Sequence, residues 1–429
     1  MHQRFKLLIL FLFAAVCATG LHVASATRIG AQAQRVANES QQLQNVSIHT
    51  ATNRLMVNQA GQAGAGTPGS SFSYFIDTTE DFITDASLIM GNSSQNLSWR
   101  IFENGQGDPT PTNNFGWLYA LSNITVDSTT FPSYRIASGK GTNRDSTIGF
   151  DVDWYAAKHI DSADFYVGHF EIYKGSNNPS GTVTDLTIAF ACDWDVPSDT
   201  SSDNTIGIDA ARQMISLQGQ YSSDRQKGFA ATAAYREDGV PITGGFGWGN
   251  QQQVYNLGGY SVDSVWKYME AIPAPPNNYN STWLDSVGDM SIVMVVAKNY
   301  TVTPTSRLKF DVVLAAKRAE MNPVGLAGLN TAVDKARKFI CAHVAAGSEL
   351  CDICTSCGDT NGDGVIDISD AVALIGYIFF FPFPIIPGDC NYPMGMGDAN
   401  GDGGVDISDA VYLIAYIFSG GGAPHCQGK

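Results

Sequence analysis

The sequence predicts a mostly β protein: a large β-sandwich-like or jelly-roll-like domain, followed by one helix, a Cys-rich linker and a small α-helical C-terminal module. Three observations carry this. Apolar residues alternate with polar or small ones in short runs from about Phe72 to Ala316. The 44 glycines follow no collagen period, as in turn-rich β proteins. After residue 357 the pattern changes to a loop and apolar run that occur twice. A hydrophobic fraction of 44% with 15% charged residues builds a core and excludes a disordered chain.

In chain order, residues 1–26 read as a secretory signal. Arg4 and Lys6 open it, Leu7 to Ala18 is an apolar run of signal length, and Ala24-Ser25-Ala26 fits a small-x-small cleavage site. A retained anchor is the alternative; lipidation at Cys17 is disfavoured by Val16 before it. Residues 27–71 read as a polar, Gln/Asn-rich lead-in, and 72–320 as the β domain. Within it Ile148, Phe150, Val152 and Trp154 alternate with Gly149, Asp151 and Asp153. Leu186, Ile188, Phe190, Cys192 and Trp194 alternate with Thr187, Ala189, Ala191 and Asp193, and Leu308, Phe310, Val312 and Leu314 with Lys309 and Asp311. Roughly ten or more strands are expected, with a second small sheet as an alternative to one large sandwich. Residues 321–357 hold the helix, with Leu326, Leu329, Val333, Ala336 and Ile340 on one face and Asn322-Pro323 at its start, then the Cys-rich linker.

Residues 358–379 and 397–418 agree at 17 of 22 positions without gaps, at a period of 39. Each copy opens with a 12-residue loop that offers oxygens at positions 1, 3, 5, 7, 9 and 12, the pattern a hard cation such as calcium requires. In the first these are Asp359, Asn361, Asp363, the carbonyl of Val365, Asp367 and Asp370. In the second they are Asp398, Asn400, Asp402, the carbonyl of Gly404, Asp406 and Asp409. Gly364 and Gly403 stand at position 6, where the turn is sharpest. Position 12 is Asp in place of the common Glu, which is longer by one methylene, so the loop must close tighter. The pattern predicts two calcium ions in a module spanning 358–429.

Charge placement agrees. Loss of the signal removes two basic and no acidic residues, so the net charge moves from −16 to −18. Nine aspartates against one lysine put −8 of that into 358–429, which should fold poorly without cations. An acidic chain of this kind repels phosphate backbones, so nucleic acid is not an expected partner.

Each loop leads into a short apolar helix, Ala371–Phe379 and Ala410–Phe418, with no typical helix before the loop. Two such loop–helix units resemble a type I dockerin over 358 to about 420. The resemblance implies a two-fold pseudo-symmetric calcium module that docks to a cohesin-like protein domain, often beside polysaccharide-degrading or carbohydrate-binding domains. It also implies contacts from loop positions 10 and 11 and from mid-helix. These are Ile368, Ser369, Ile375 and Gly376 in one copy and Ile407, Ser408, Ile414 and Ala415 in the other. They are more apolar than is usual for dockerins, so docking onto the chain's own β domain stays open beside a separate partner. The connection Phe379 to Pro387 is apolar, but three prolines argue against a membrane span after signal removal. It is left as an interface patch or as packing over the two helices.

Seven cysteines remain after the signal, six of them beyond residue 340. Cys341, Cys351, Cys354 and Cys357 could form a thiolate metal site, but export favours disulfides. Cys390 with Cys426 is one pairing considered, and Cys192 is expected as a buried free thiol.

The β region carries no GxSxG, HExxH or P-loop pattern, and its histidines show no ligand spacing. Period two puts Asp151 with Asp153, Asp193 with Asp195, and His169 with Glu171, and carboxylates roughly 5–9 Å apart are what glycoside hydrolysis uses. The run Asp193 to Asp203 could instead hold another cation. Trp117, Trp154, Trp194, Trp248 and Trp283 are candidates for stacking on sugars, with core packing as the alternative. Two expectations follow: a secreted, calcium-binding docking protein whose β domain binds glycan or another extracellular surface, or a polysaccharide-degrading glycoside hydrolase carried by its dockerin-like module.

Overall fold

The computed structural model describes residues 43–64, 72–74, 82–100, 118–177, 181–196, 203–220, 226–250, 262–273, 278–281, 287–320, 324–351, 357–360, 366–379 and 395–425. Two large sheets dominate. The ten-stranded sheet runs in the order β1 (Asn45–His49), β2 (Asn53–Asn58), β3 (Gln62–Ala63), β5 (Ile83–Ser93), β12 (Val183–Trp194), β18 (Met290–Val302), β16 (Gly244–Gly249), β17 (Asn278–Ser281). Off this path, β4 (Phe72–Tyr74) pairs with β2 and β6 (Asn96–Trp99) with β5. The nine-stranded sheet runs β13 (Thr205–Asp209), β14 (Met214–Gln220), β15 (Gln226–Arg236), β19 (Leu308–Glu320), β11 (Phe165–Lys174), β10 (Ile148–Ala157), β9 (Tyr134–Thr142), β7 (Tyr119–Ala120). β8 (Thr125–Asp127) pairs with β9.

The alternating runs form the inner faces. Phe150, Val152 and Trp154 of β10, Phe170 of β11 and Phe310, Val312 and Leu314 of β19 share one buried core with Leu186, Ile188, Phe190, Cys192 and Trp194 of β12. Rings meet across the two layers: Trp154 and Phe190 lie 6.3 Å apart edge-on, and Phe170 and Phe190 5.8 Å apart. The expected free thiol is there. Cys192 is buried and unbridged, and Thr232 Oγ1 donates to its Sγ at 3.3 Å. Burial pushes that thiol up, well out of the reactive range.

Both outer faces carry a helix over small residues. α1 (Val262–Glu270) sets Val265, Tyr268 and Met269 on Ala189, Ala191, Val293 and Val295. α2 (Val324–Phe339) sets Leu329, Val333 and Ala336 on Ala231, Ala233, Val313 and Ala315. Alanines at these positions let a helix approach the sheet closely. α2 is the helix its apolar period predicts. α1 lies inside the span read as strands alone, although Val265, Tyr268, Met269 and Ile272 have helical spacing.

The N-terminal boundary is corrected. The span 27–71 was expected to be a loose lead-in, yet residues 45–63 supply β1 to β3. Ile48, Leu55 and Val57 enter the core, while Asn58 donates to Gln62 Oε1 at 2.8 Å and Gln62 donates to Asp85 Oδ1 at 3.0 Å. These amides are buried and paired, so a polar composition hides a sheet strand here.

α2 continues as a short wide turn, Ile340–Val344, into a loop closed by the disulfide Cys341–Cys351. A thiolate metal site that uses Cys341 is thereby excluded. Cys357 is also disulfide-bonded, whereas Cys354, Cys390 and Cys426 lie outside the described residues. So does most of the apolar connection 379–387. Among the described residues, no helix is long and apolar enough to cross a membrane.

Candidate functional site

The C-terminal module consists of two loop–helix units, with α3 (Ile368–Phe379) packed against α4 (Ile407–Ser419). Among the described residues its core is small and duplicated: Ala371 and Leu374 from one helix, Ala410 and Leu413 from the other, with Ala399. Gly358, at φ +97°, lies so close to Leu413 and Pro424 that a Cβ there would come within 2.8 Å of each. The chain after α4 thus folds back over the start of the first repeat, and His425 N–H donates to Ala399 O at 3.0 Å.

The second loop is described throughout. Asp398 and Asp409 are buried, while Asp402 and Asp406 are exposed. Asp398 accepts from the N–H of Asp402 at 3.0 Å and of Gly403 at 3.1 Å. Asp409 accepts from the N–H of Asn400 at 3.1 Å and of Asp406 at 2.9 Å. Gly403, at φ +91°, takes the left-handed turn expected at position 6. Asp406 caps α4, and Asp406 and Asp409 form a reciprocal capping box, so the loop and the helix start share residues.

In the first loop, Asp359, Asp367 and Asp370 are described, and Asn361, Asp363, Gly364 and Val365 lie outside. The two copies agree where they can be compared. Ser369 Oγ donates to Asp367 Oδ1 and Ser408 Oγ to Asp406 Oδ1, each at 2.6 Å. These bonds hold both carboxyls below the usual range. Burial raises Asp409, and the charges of Asp398 and Asp402 raise it further. Carboxylates that crowd one another around a carbonyl and an amide oxygen suit a hard divalent ion, which removes their repulsion.

Each helix also carries an apolar stripe on its outer side. Ile368, Val372 and Phe379 are 46%, 62% and 60% exposed, and Ile407, Val411 and Phe418 are 46%, 59% and 67% exposed. Steps of four and seven residues put each set on one face. Ile368, Ile407 and Ile414 fall in the predicted docking positions, but Val372, Val411, Phe379 and Phe418 were missed. Their pairing at the repeat period was the signal.

In the β domain the aromatic candidates are mostly core. Trp154, Trp194 and Trp248 are fully buried, and Trp117 and Trp283 lie outside the described residues. Asp151 and Asp153 share the outer face of β10, where Asp151 accepts from Lys140 Nζ at 2.6 Å and Tyr173 Oη at 2.7 Å. Glu171 pairs with Arg307 at 2.9 Å and Lys309 at 3.7 Å. The cavity between β11, β19 and α2, about 120 Å³ with Asp164 and Lys317 at its rim, is smaller than the roughly 300 Å³ of typical ligand pockets.

Two acidic clusters remain among the described residues. The first lies where β5 and β18 begin and β12 and β16 end. Asp193 Oδ1 accepts from Ser291 Oγ at 2.7 Å and from Asn250 Nδ2 at 2.9 Å, and that same amide donates to Asp289 Oδ1 at 2.7 Å. Thr84 Oγ1 donates to the neighbouring Asp195. Burial holds Asp193 well above the usual carboxylate range, and the charges of Asp195 and Asp289 add to this. A carboxyl raised in this way stabilises the fold fully below its unfolded value of 3.8, and the contribution is lost as pH rises through the folded value. Asp193→Asn keeps the volume and the acceptor. Its urea midpoint should therefore gain on the wild type as pH rises above about 4, and a pH-independent difference would reject this assignment.

The second cluster was not visible as a pattern in the sequence. Asp153, His169 and Asp311 stand side by side on β10, β11 and β19. Glu237, just past β15, reaches the same imidazole, with its N–H on Lys309 O at 3.1 Å. His169 Nδ1 lies 2.9 Å from Asp311 Oδ1 and 3.2 Å from Glu237 Oε1. Burial alone would lower His169, but the hydrogen bond and charge of Asp311, with the charges of Glu237 and Asp153, raise it. Burial raises both Asp311 and Glu237.

No curated protein matches the chain. Among solved structures it is similar to the GH36 alpha-galactosidases AgaA and AgaB from Geobacillus stearothermophilus, at 7% and 8% identity and TM-scores of 0.32 and 0.30. Each alignment covers 67% of this chain and 42% of the galactosidase. The galactosidase domain of an alpha-galactosidase-sucrose kinase is similar at 8% identity and a TM-score of 0.29, over 66% of this chain and 41% of that one. The chain thus spans about two fifths of each length, and likenesses at these scores carry no argument about function. The C-terminal match is of another kind: the family model described as the dockerin type I domain aligns with residues 357–418. With its duplicated calcium-type loops and paired helices, the C-terminal module of this chain is a type I dockerin domain.

Proposed function

We propose that this chain is a secreted docking protein. Its dockerin, with two bound calcium ions, seats on a cohesin-type domain, and its β domain is the cargo that meets a polysaccharide. The observation that carries this is the duplicated apolar stripe, three exposed apolar side chains at matching positions of α3 and α4. Two such stripes left in water are an interface awaiting a partner. The ions would be held by Asp359, Asn361, Asp363, Val365, Asp367 and Asp370, and by Asp398, Asn400, Asp402, Gly404, Asp406 and Asp409. Calcium supplies the charge that lets each acidic loop close, while the chain's residues set the helices and hence the stripes. Binding to immobilised cohesin domains, with calcium and then with chelator, tests this reading; failure to bind any cohesin in calcium would sink it.

A second reading, a glycoside hydrolase, is favoured by one feature. Burial raises Asp193 well above the usual carboxylate range beside the carboxyls of Asp195 and Asp289, and carboxyls whose environments differ in this way suit the acid and base roles of such hydrolysis. Glu171, engaged with two cations, is not a candidate. Release of reducing sugar from polysaccharide that disappears in Asp193→Asn would favour this reading, and binding without turnover would favour the first.

A further inference from the structure

We propose that His169, Glu237 and Asp311 form a binding site for one divalent first-row transition cation, of which Zn²⁺ is the probe, on the outer face of the nine-stranded sheet. One ligand atom from each residue lies within 4.8 Å of the other two. The imidazole Nδ1 carries at most one proton, yet it faces two carboxylate oxygens, Asp311 Oδ1 at 2.9 Å and Glu237 Oε1 at 3.2 Å. One N–H cannot satisfy both with good geometry.

A second observation points the same way. Asp311 is fully buried, and its other oxygen, Oδ2, has no hydrogen-bond partner among the described residues. An unpaired carboxylate oxygen in the interior is costly, and a buried charge is ordinarily paired or bound to a metal. A divalent cation in this cluster accepts lone pairs from all three side chains and balances the two carboxylate charges.

The donor set selects the class of ion. One imidazole nitrogen with two carboxylates suits zinc and its first-row neighbours; calcium prefers a shell made of oxygens. This separates the site from the dockerin loops, which offer oxygen alone. His169 and Glu237 are each 14% exposed, so the site opens to water on one side. Three protein ligands leave a coordination position for that water, as in sites where zinc activates a substrate or solvent molecule.

The protein holds the site on rigid parts. His169 and Asp311 are paired directly across β11 and β19, and the segment after α2 closes over Glu237 through the N–H of Leu350, 3.0 Å from Glu237 O. Neighbouring strands fix the first two ligands, and the disulfide-closed loop fixes the backbone of the third.

The test uses the untagged full-length protein, stripped of metal and re-equilibrated in excess calcium so that the dockerin loops are filled. Zn²⁺ is then titrated by calorimetry, and bound metal is counted by elemental analysis. The expected result is one equivalent of zinc per chain at saturating calcium, with affinity reduced at least tenfold in His169→Ala and in Glu237→Gln. His169→Ala leaves Asp311 buried and alone and could disturb folding. Glu237→Gln keeps the size of a side chain at the rim, so zinc should raise the melting temperature of the wild type and not of this variant. Absence of a zinc equivalent in calcium, or equal zinc affinity in the wild type and a folded Glu237→Gln, would overturn the proposal.

Discussion

Chelation of calcium from the intact protein should collapse hydrogen-exchange protection in α3 and α4 while the strands of both sheets keep theirs. Among the described residues, the module buries few apolar side chains: Ala371, Leu374, Met396, Ala399, Ala410 and Leu413. Against that stand nine aspartates and one lysine in residues 358–429. A micromolar loop in millimolar calcium adds about 4 kcal/mol per ion by mass action. Two ions then supply roughly 8 kcal/mol, comparable with the whole stability of a small domain. The sheets share a separate core of large aromatic residues and do not depend on these loops. Protection in α3 and α4 that is indifferent to EDTA would show that the loops are not calcium sites.

The second large effect concerns docking. Because the stripes Ile368, Val372, Phe379 and Ile407, Val411, Phe418 are chemically equivalent, either should seat the same partner. Replacing Val372 and Phe379 by serine should cost only about a factor of two in affinity for a cohesin domain, the statistical loss of one of two equal faces. The same holds for Val411 and Phe418. Changing all four should weaken binding about a hundredfold or more, since anchor residues at an interface are each worth about 2 kcal/mol. These side chains are about 60% exposed, so folding should barely change, and circular dichroism in calcium checks this. A large loss from one pair alone would mean that both helices touch the partner at once; no loss from all four would place docking elsewhere.

Much of the architecture was legible because it rests on local period. The alternation in 148–154, 186–194 and 308–314 located β10, β12 and β19 and even their inner faces, since side chains of a strand alternate by geometry. The helical spacing of Leu329, Val333 and Ala336 located α2 for the same reason. Failures occurred where composition misled. The amide-rich strands β1 to β3 looked like a loose lead-in, because nothing local shows that Asn58 and Gln62 find buried partners. Trp154, Trp194 and Trp248 could have been binding platforms, and only the layer packed on them made them core.

The sequence by itself determined the dockerin. All the donors proposed for its loops come from one 12-residue stretch repeated once, so this ligand chemistry can be read from spacing alone. Tertiary structure decided everything whose partners are distant along the chain. His169, Glu237 and Asp311 meet because β11 pairs with β19 and β15 ends beside them. Asp193 gains its raised pKa because four strands end together and bury it. A carboxylate's burial and neighbours are properties of packed layers, and no local pattern encodes them.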